Sequence, residues 1–63
     1  MKILLKEYRD KQEITQAELS AKSGVSQQAI SQIENTGRAN MSTVEKLSRA
    51  LGISPFDLLK LDE

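Results

Sequence analysis

The 63-residue chain contains no cysteine and no histidine. The absence of cysteine excludes a disulfide framework and thiolate zinc sites, and the absence of histidine excludes nucleophilic catalysis with a histidine base. A chain without cysteine also fits a reducing compartment. We therefore expect no metal site, no cofactor and a location in the cytoplasm.

Aromatic residues, proline and long apolar runs are also scarce. The chain has one tyrosine, one phenylalanine and one proline, and no apolar stretch approaches the roughly 20 residues that a membrane span needs. The amino end is charged too early for a signal peptide. Phosphate-loop, dinucleotide and calcium-loop motifs are missing, and the carboxylates are spread over separate predicted helices. We expect one non-enzymatic domain over residues 1–63, with no membrane contact and no small-molecule ligand.

The charges balance, because nine lysines and arginines meet nine aspartates and glutamates. Proteins that bind nucleic acid are often basic overall. Composition alone therefore does not indicate a nucleic-acid partner, and the interpretation depends on local pattern.

The stretch 15–35 predicts two short helices joined by a tight turn. Thr15 and Glu18 have the spacing of a capping box, which starts the first helix. Gly24 can adopt the left-handed conformation that ends a helix, and Ser26 can cap the second one. These signals place a helix-turn-helix at residues 15–35.

The second of these helices has an amide-rich face. At about 100° per residue, Ala29, Ile30 and Ile33 share one arc and predict the side that packs in a core. An ordinary solvated face would carry lysine and glutamate, whereas glutamine can bond at once to N6 and N7 of adenine in the major groove. The opposite arc holds Gln27, Gln28, Ser31, Gln32 and Asn35.

These features resemble the Cro/C1-type (XRE) helix-turn-helix of phage repressors and small bacterial regulators. The resemblance covers nearly the whole chain and implies an all-α, lambda-repressor-like domain of five short helices. The glutamines also resemble the base-reading set of lambdoid phage repressors. The residues that carry the match are Thr15-Gln16, Glu18-Leu19, Gly24-Val25-Ser26, Ile30 and Ile33-Glu34-Asn35, extended by Leu5, Arg9 and Ala50-Leu51-Gly52-Ile53-Ser54.

The resemblance implies a sequence-specific regulator of transcription that binds double-stranded DNA. We expect a bacterial or phage-encoded, nucleoid-associated repressor that binds a palindromic operator as a homodimer. A protein-interaction module on the same scaffold, such as an antitoxin or an anti-repressor partner, is the alternative.

The candidate site residues fall into four groups. The expected base readers are Gln27, Gln28, Ser31 and Gln32, and the expected phosphate contacts are Gln16, Asn35, Thr36, Gly37 and Arg38. The expected structural ion pair is Arg9 with Glu34, and the candidate dimer contacts are Met41, Pro55 and Phe56.

The remaining elements are predicted from spacing and capping signals. A first helix should begin near Ile3 and end before Ile14, less sharply than in the family, because Glu13 stands where the family usually has glycine. Residues 36–41 should form a loop. A second capping box at 42–45 should start a fourth helix that ends at Gly52, and Ser54 with Pro55 should start a fifth.

Overall fold

A computed structural model describes residues 2–60, with side chains described for residues 3–59. Within that range the fold is all-α, and the predicted number of helices is confirmed. A two-residue antiparallel pair joins the ends of the described chain. The elements are β1 (Lys2–Ile3), α1 (Leu5–Lys11), α2 (Gln16–Ser23), α3 (Gln27–Thr36), α4 (Met41–Leu51), α5 (Pro55–Leu58) and β2 (Leu59–Lys60).

The core is aliphatic and draws on all five helices. Leu5, Leu19, Ile30, Leu47 and Leu58 are each 0% exposed. Fully burying one such side chain contributes about 1.5–3 kcal/mol. A domain of this size leaves a large share of its surface in water and buries few side chains. The relative positions of the helices therefore depend on these few buried residues.

The predicted start of the first helix is wrong by two residues. Ile3 lies in β1, where it pairs with Leu59, and its amide donates to the carbonyl of Gly37 over 3.3 Å. The helix then begins at Leu5, with Leu4 at the cap position and no side-chain cap. The amide of Leu4 donates to the carbonyl of Leu58 over 2.8 Å, which ties the start of α1 to the end of α5.

The caps of the helix-turn-helix are as predicted. Thr15 Oγ1 accepts the amide of Glu18, and Glu18 Oε1 accepts the amide of Thr15, each over 3.0 Å. Gly24 has φ +78° and ends α2. Ser26 Oγ accepts the amide of Ala29 over 3.1 Å and starts α3. Local sequence therefore sets where α2 ends and where α3 begins.

The predicted start of α4 is wrong. Asn40, not Ser42, is the cap, because its Oδ1 accepts the amide of Thr43 over 2.8 Å. The preceding loop is also shorter than predicted, since Thr36 remains in α3 and Gly37 ends that helix with φ +72°. Asparagine is among the strongest capping residues. With Asn40 as the cap, α4 begins at Met41, two residues earlier than a cap at Ser42 would place its start.

Glu13 occupies a backbone position that favours glycine. Its φ is +56°, and it closes α1 in a Schellman motif: its amide donates to Asp10 over 3.1 Å and the next amide, of Ile14, donates to Arg9 over 3.2 Å. The expectation of a less sharp helix end is therefore wrong. The bonds of the motif and the burial of Ile14 beside the core hold a glutamate in a strained conformation.

Replacing Glu13 by glycine is expected to stabilise the domain by about 1 kcal/mol. A left-handed conformation costs a residue with a Cβ about 1–2 kcal/mol, and the greater freedom of glycine in the unfolded chain offsets part of that gain. Thermal unfolding should show a midpoint raised by about 4–8 °C. Glu13→Ala is the matched control, because alanine keeps the Cβ and therefore the strain. An equal rise of the unfolding midpoint in both variants would show that the backbone at Glu13 is not strained.

Candidate nucleic-acid interface

Helix α3 turns its amide-rich face outward. The side chains of Gln27, Gln28 and Gln32 are exposed and that of Ser31 is half-buried, whereas Ile30 and Ile33 are buried in the core. The four expected base readers thus share one surface. Because the opposite side of the helix is fixed by packing, this face is presented rigidly, as direct reading of bases requires.

An ion pair ties the far end of α3 to α1. Arg9 Nε lies 2.8 Å from Glu34 Oε2 and Arg9 Nη2 lies 3.1 Å from Glu34 Oε1, so the contact is bidentate. The side chains are only 13% and 7% exposed. Arg9 Nη1 also donates to the carbonyl of Ile14 over 3.0 Å. The two residues expected to pair therefore lie together, with the guanidinium also bonded to the segment that leads into α2.

Gln16 joins this ion pair, which the sequence did not indicate. Its Nε2 donates to Glu34 Oε1 over 3.0 Å, across 18 positions of sequence, and no local pattern signals such a bond. An amide nitrogen carries two hydrogens, so one donor of Gln16 remains for the phosphate contact expected of it. Glu34 fixes the orientation of that side chain at the start of α2.

The ionisation of the pair follows from these contacts. Burial raises the pKa of Glu34, but the hydrogen bonds from Arg9 and Gln16 and the charges of Arg9 and Lys6 outweigh it, and the net result is a lowered pKa. The hydrogen bond to Glu34 raises the pKa of Arg9. Both groups are therefore charged at neutral pH.

The donors expected around Thr36 and Gly37 are used inside the protein. The amide of Gly37 donates to the carbonyl of Ile33 over 2.7 Å, and the hydroxyl of Thr36 donates to the carbonyl of Gln32 over 2.9 Å. The amide of Arg38 donates to Thr36 Oγ1 over 3.2 Å. The amides of Gly37 and Arg38 are therefore not free to bind phosphate in this conformation, because they already donate hydrogen bonds at the end of α3. The side chains of Arg38 and Asn35 are exposed, and their contact with phosphate stays a prediction.

A groove of about 370 Å³ runs between the end of α3 and the start of α4. Its lining includes Gln32, Arg38, Asn40 and Thr43. Asn40 uses its oxygen as the cap of α4, so its Nδ2 group remains a donor at the groove. Sequence reasoning missed Asn40 because it placed the helix start at Ser42; asparagine and serine cap helices about equally well, so residue type alone did not separate the two positions.

The candidate dimer contacts lie on the α4 and α5 side of the domain. Among the residues with described side chains, Met41 and Phe56 are the large apolar ones that stand exposed, by 52% and 84%. Pro55 is half-buried. A single exposed aromatic is unremarkable, so the arrangement of its surroundings decides what this surface can do.

The described part of the chain gives no sign of a metal site or a membrane span. Within residues 2–60, no group of three acidic residues is clustered as metal ligands would be. No helix in this range is long and apolar enough to cross a bilayer.

A capped α2, a glycine turn and an α3 with an exposed amide face define a DNA-binding helix-turn-helix. A family model described as Helix-turn-helix, of the Cro/C1 (XRE) type, matches residues 5–58. The chain belongs to this family, whose members are DNA-binding regulators and are not typically enzymes. No curated protein and no solved structure gave a significant match.

Proposed function

We propose that this protein is a repressor that reads a palindromic operator as a homodimer. Its single domain, residues 1–63 with the helix-turn-helix at 15–35, acts without catalysis and without a cofactor or small-molecule ligand. It works in the cytoplasm of a bacterium, on the nucleoid or on phage DNA. The observation that carries the proposal is the exposed amide face of α3, since family membership gives DNA binding but not sequence specificity.

In the proposed complex α3 enters the major groove and α2 crosses the backbone. Gln27, Gln28 and Gln32 bond to base edges, with Ser31 beside them. The remaining donor of Gln16 contacts a phosphate near the start of α2. A second stretch of backbone lies along the groove between α3 and α4, where Arg38 and Asn40 supply donors, and Asn35 supplies a further donor from the exposed face of α3.

The dimer follows from the small size of the reading face. One α3 contacts only a few base pairs, which gives too little discrimination for a genomic site. Two copies related by a two-fold axis would place their α3 helices about 34 Å apart, one turn of DNA. Met41, Pro55 and Phe56 are the proposed contacts between the copies.

The first test is selection of binding sites from a randomised DNA pool by the intact protein. We expect enrichment of a palindrome whose half-sites contain adenine at positions one helical turn apart. Enrichment of an asymmetric site would contradict the dimer but leave direct reading intact. Failure to enrich any sequence at moderate salt would contradict base reading by α3 and favour a protein partner for the exposed α4 and α5 surface.

A further inference from the structure

The exposed side of α4 carries a pattern that is complementary to itself. Met41, Glu45 and Arg49 are exposed and recur every four residues, which puts them on one side of the helix. Beyond the end of α4, Ile53 and Pro55 join Glu45, Ser48 and Arg49 around a shallow groove of about 390 Å³. One strip of surface therefore runs from an exposed methionine to an acid and a base, which themselves line the groove together with Ile53 and Pro55.

Antiparallel pairing of this strip with a second copy places unlike groups opposite each other. If the two-fold axis passes midway between Glu45 and Arg49, each glutamate faces the partner's Arg49. The same register brings Met41 to the partner's Ile53, at the apolar end of the strip. In a two-fold interface each contact occurs twice, so a single register accounts for both charges and for the exposed methionine.

The isolated domain leaves these groups without such partners. Within the described residues no ion pair joins Glu45 to Arg49, and both side chains are exposed. Phe56 follows Pro55, which lines the groove, and its side chain is 84% exposed. At that edge it can close over the partner's Met41, since sulfur and aromatic rings make favourable contacts.

We propose that α4 packs antiparallel against α4 of a second copy, in the register that sets Glu45 opposite the partner's Arg49. This assignment deepens the proposed function, because it rests on a two-fold dimer and specifies how the copies recognise each other. We expect this strip to bind a second copy of the chain rather than an unrelated protein. Its opposite charges and its apolar ends match those of an identical strip that runs in the reverse direction.

The size of the strip predicts a weak dimer. A stable interface buries about 800 Å² on each partner, which would be about a fifth of the 4305 Å² surface of this domain. One helix face and a short groove cover less than that. Self-association is therefore expected at high concentration, and operator DNA should strengthen it by holding two copies side by side.

Charge exchange between two variants tests the register. Glu45→Arg and Arg49→Glu should each raise the dimer dissociation constant at least tenfold, because each sets like charges opposite each other twice. An equimolar mixture of the two variants should form a heterodimer as tight as the wild-type dimer, since both facing pairs become attractive again. The double variant E45R/R49E should likewise recover self-association. Sedimentation equilibrium of the full chain at millimolar concentration measures all four.

A matched control separates register from net charge. From a net charge of zero, E45R becomes +2 and R49E becomes −2, so the two attract each other at any orientation. Lys46→Glu also gives −2 but alters a residue off the strip. A mixture of E45R with K46E that dimerises as tightly as E45R with R49E would overturn the register, and so would a wild type that stays monomeric at millimolar concentration.

Binding to a single half-site keeps this inference distinguishable from the proposed function. The charge variants should bind an isolated half-site as the wild type does, while losing cooperative binding to the palindrome. A wild type that self-associates in the predicted register but enriches no DNA sequence would contradict base reading and leave the α4 pairing standing. Loss of half-site binding in both single variants would instead place these charges at the DNA and overturn the α4 pairing.

Discussion

Replacing Glu34 by alanine is expected to lower the free energy of unfolding by about 3 kcal/mol. Removing one partner of a buried ion pair costs about 3–5 kcal/mol because it strands the other charge. The lower end applies here, since Arg9 keeps its bond to the carbonyl of Ile14 and lies 3.7 Å from Asp10. A domain of this length has a total stability of about 3–9 kcal/mol, so the loss would leave little margin at room temperature.

Thermal and urea unfolding, followed by circular dichroism, measure this change. At about 4–8 °C for each kcal/mol, the midpoint should fall by about 12–24 °C. Glu45→Ala, an exposed glutamate on another helix, is the matched control and should stay within about 0.5 kcal/mol. Arg9→Met combined with Glu34→Leu should recover much of the loss, because it removes both charges. An unchanged midpoint in Glu34→Ala would rule out a structural role for the pair.

The dependence on pH separates lost charge from lost packing. The pKa of Glu34 in the folded protein is lowered from 4.5, so its ionised form stabilises the fold above pH 4.5, and that contribution is lost as the pH falls through the folded pKa. Glu34→Ala has no such group to protonate. The difference in stability between the wild type and the variant should therefore narrow below pH 4.5, whereas a purely steric loss would keep the difference constant.

Several structural features that depend only on neighbouring residues were predicted correctly from the sequence. The capping box at Thr15, the left-handed Gly24 and the cap at Ser26 each act within four positions, and all three were predicted. The α3 faces follow from helical periodicity in the same way. Asn40 shows the limit of this reasoning, because two adjacent capping signals compete and the choice between them depends on how the loop after Gly37 closes.

Features that join distant parts of the chain were beyond local reasoning. The pairing of Ile3 with Leu59 spans the whole domain, and neither segment has a strand pattern that would predict it. The bond from Gln16 to Glu34 is of the same kind. The Arg9 and Glu34 pairing was expected only through family resemblance, since charges 25 positions apart carry no signal of their own. The resemblance identified position 13 as one where the family usually has glycine. It did not predict that Glu13 would adopt the left-handed backbone conformation found there.

Replacing Gln28 by alanine is expected to abolish discrimination at one base pair in each half-site. A bidentate amide contact to adenine gives about 1–3 kcal/mol of selectivity, which corresponds to about a 5- to 150-fold preference. The Gln28 side chain is exposed on α3 and its truncation removes no contact in the core. Stability should therefore be unchanged, while affinity for the selected palindrome falls toward that for variants of the site with other bases at that position.

Parallel binding-site selections with the wild type and the variants measure this effect. Gln12→Ala is the matched control for loss of a glutamine, because the Gln12 amide donates to the carbonyl of Leu51 over 2.7 Å, at the end of α4. That variant loses a structural bond and should keep the sequence preference of the wild type. Gln28→Glu provides a second check, since a carboxylate accepts from cytosine N4 and cannot donate to adenine N7.

The pattern of loss distinguishes base reading from backbone contact. If Gln28 reads a base, Gln28→Ala relaxes one position and leaves the preferences elsewhere intact, and Gln28→Glu shifts that position away from adenine. If Gln28 instead contacts phosphate, both variants weaken binding to all sequences by a similar factor. The second pattern would move base reading to Gln27 and Gln32, the neighbours of Gln28 on the same face of α3, and the same paired selections applied to those two residues would then locate it.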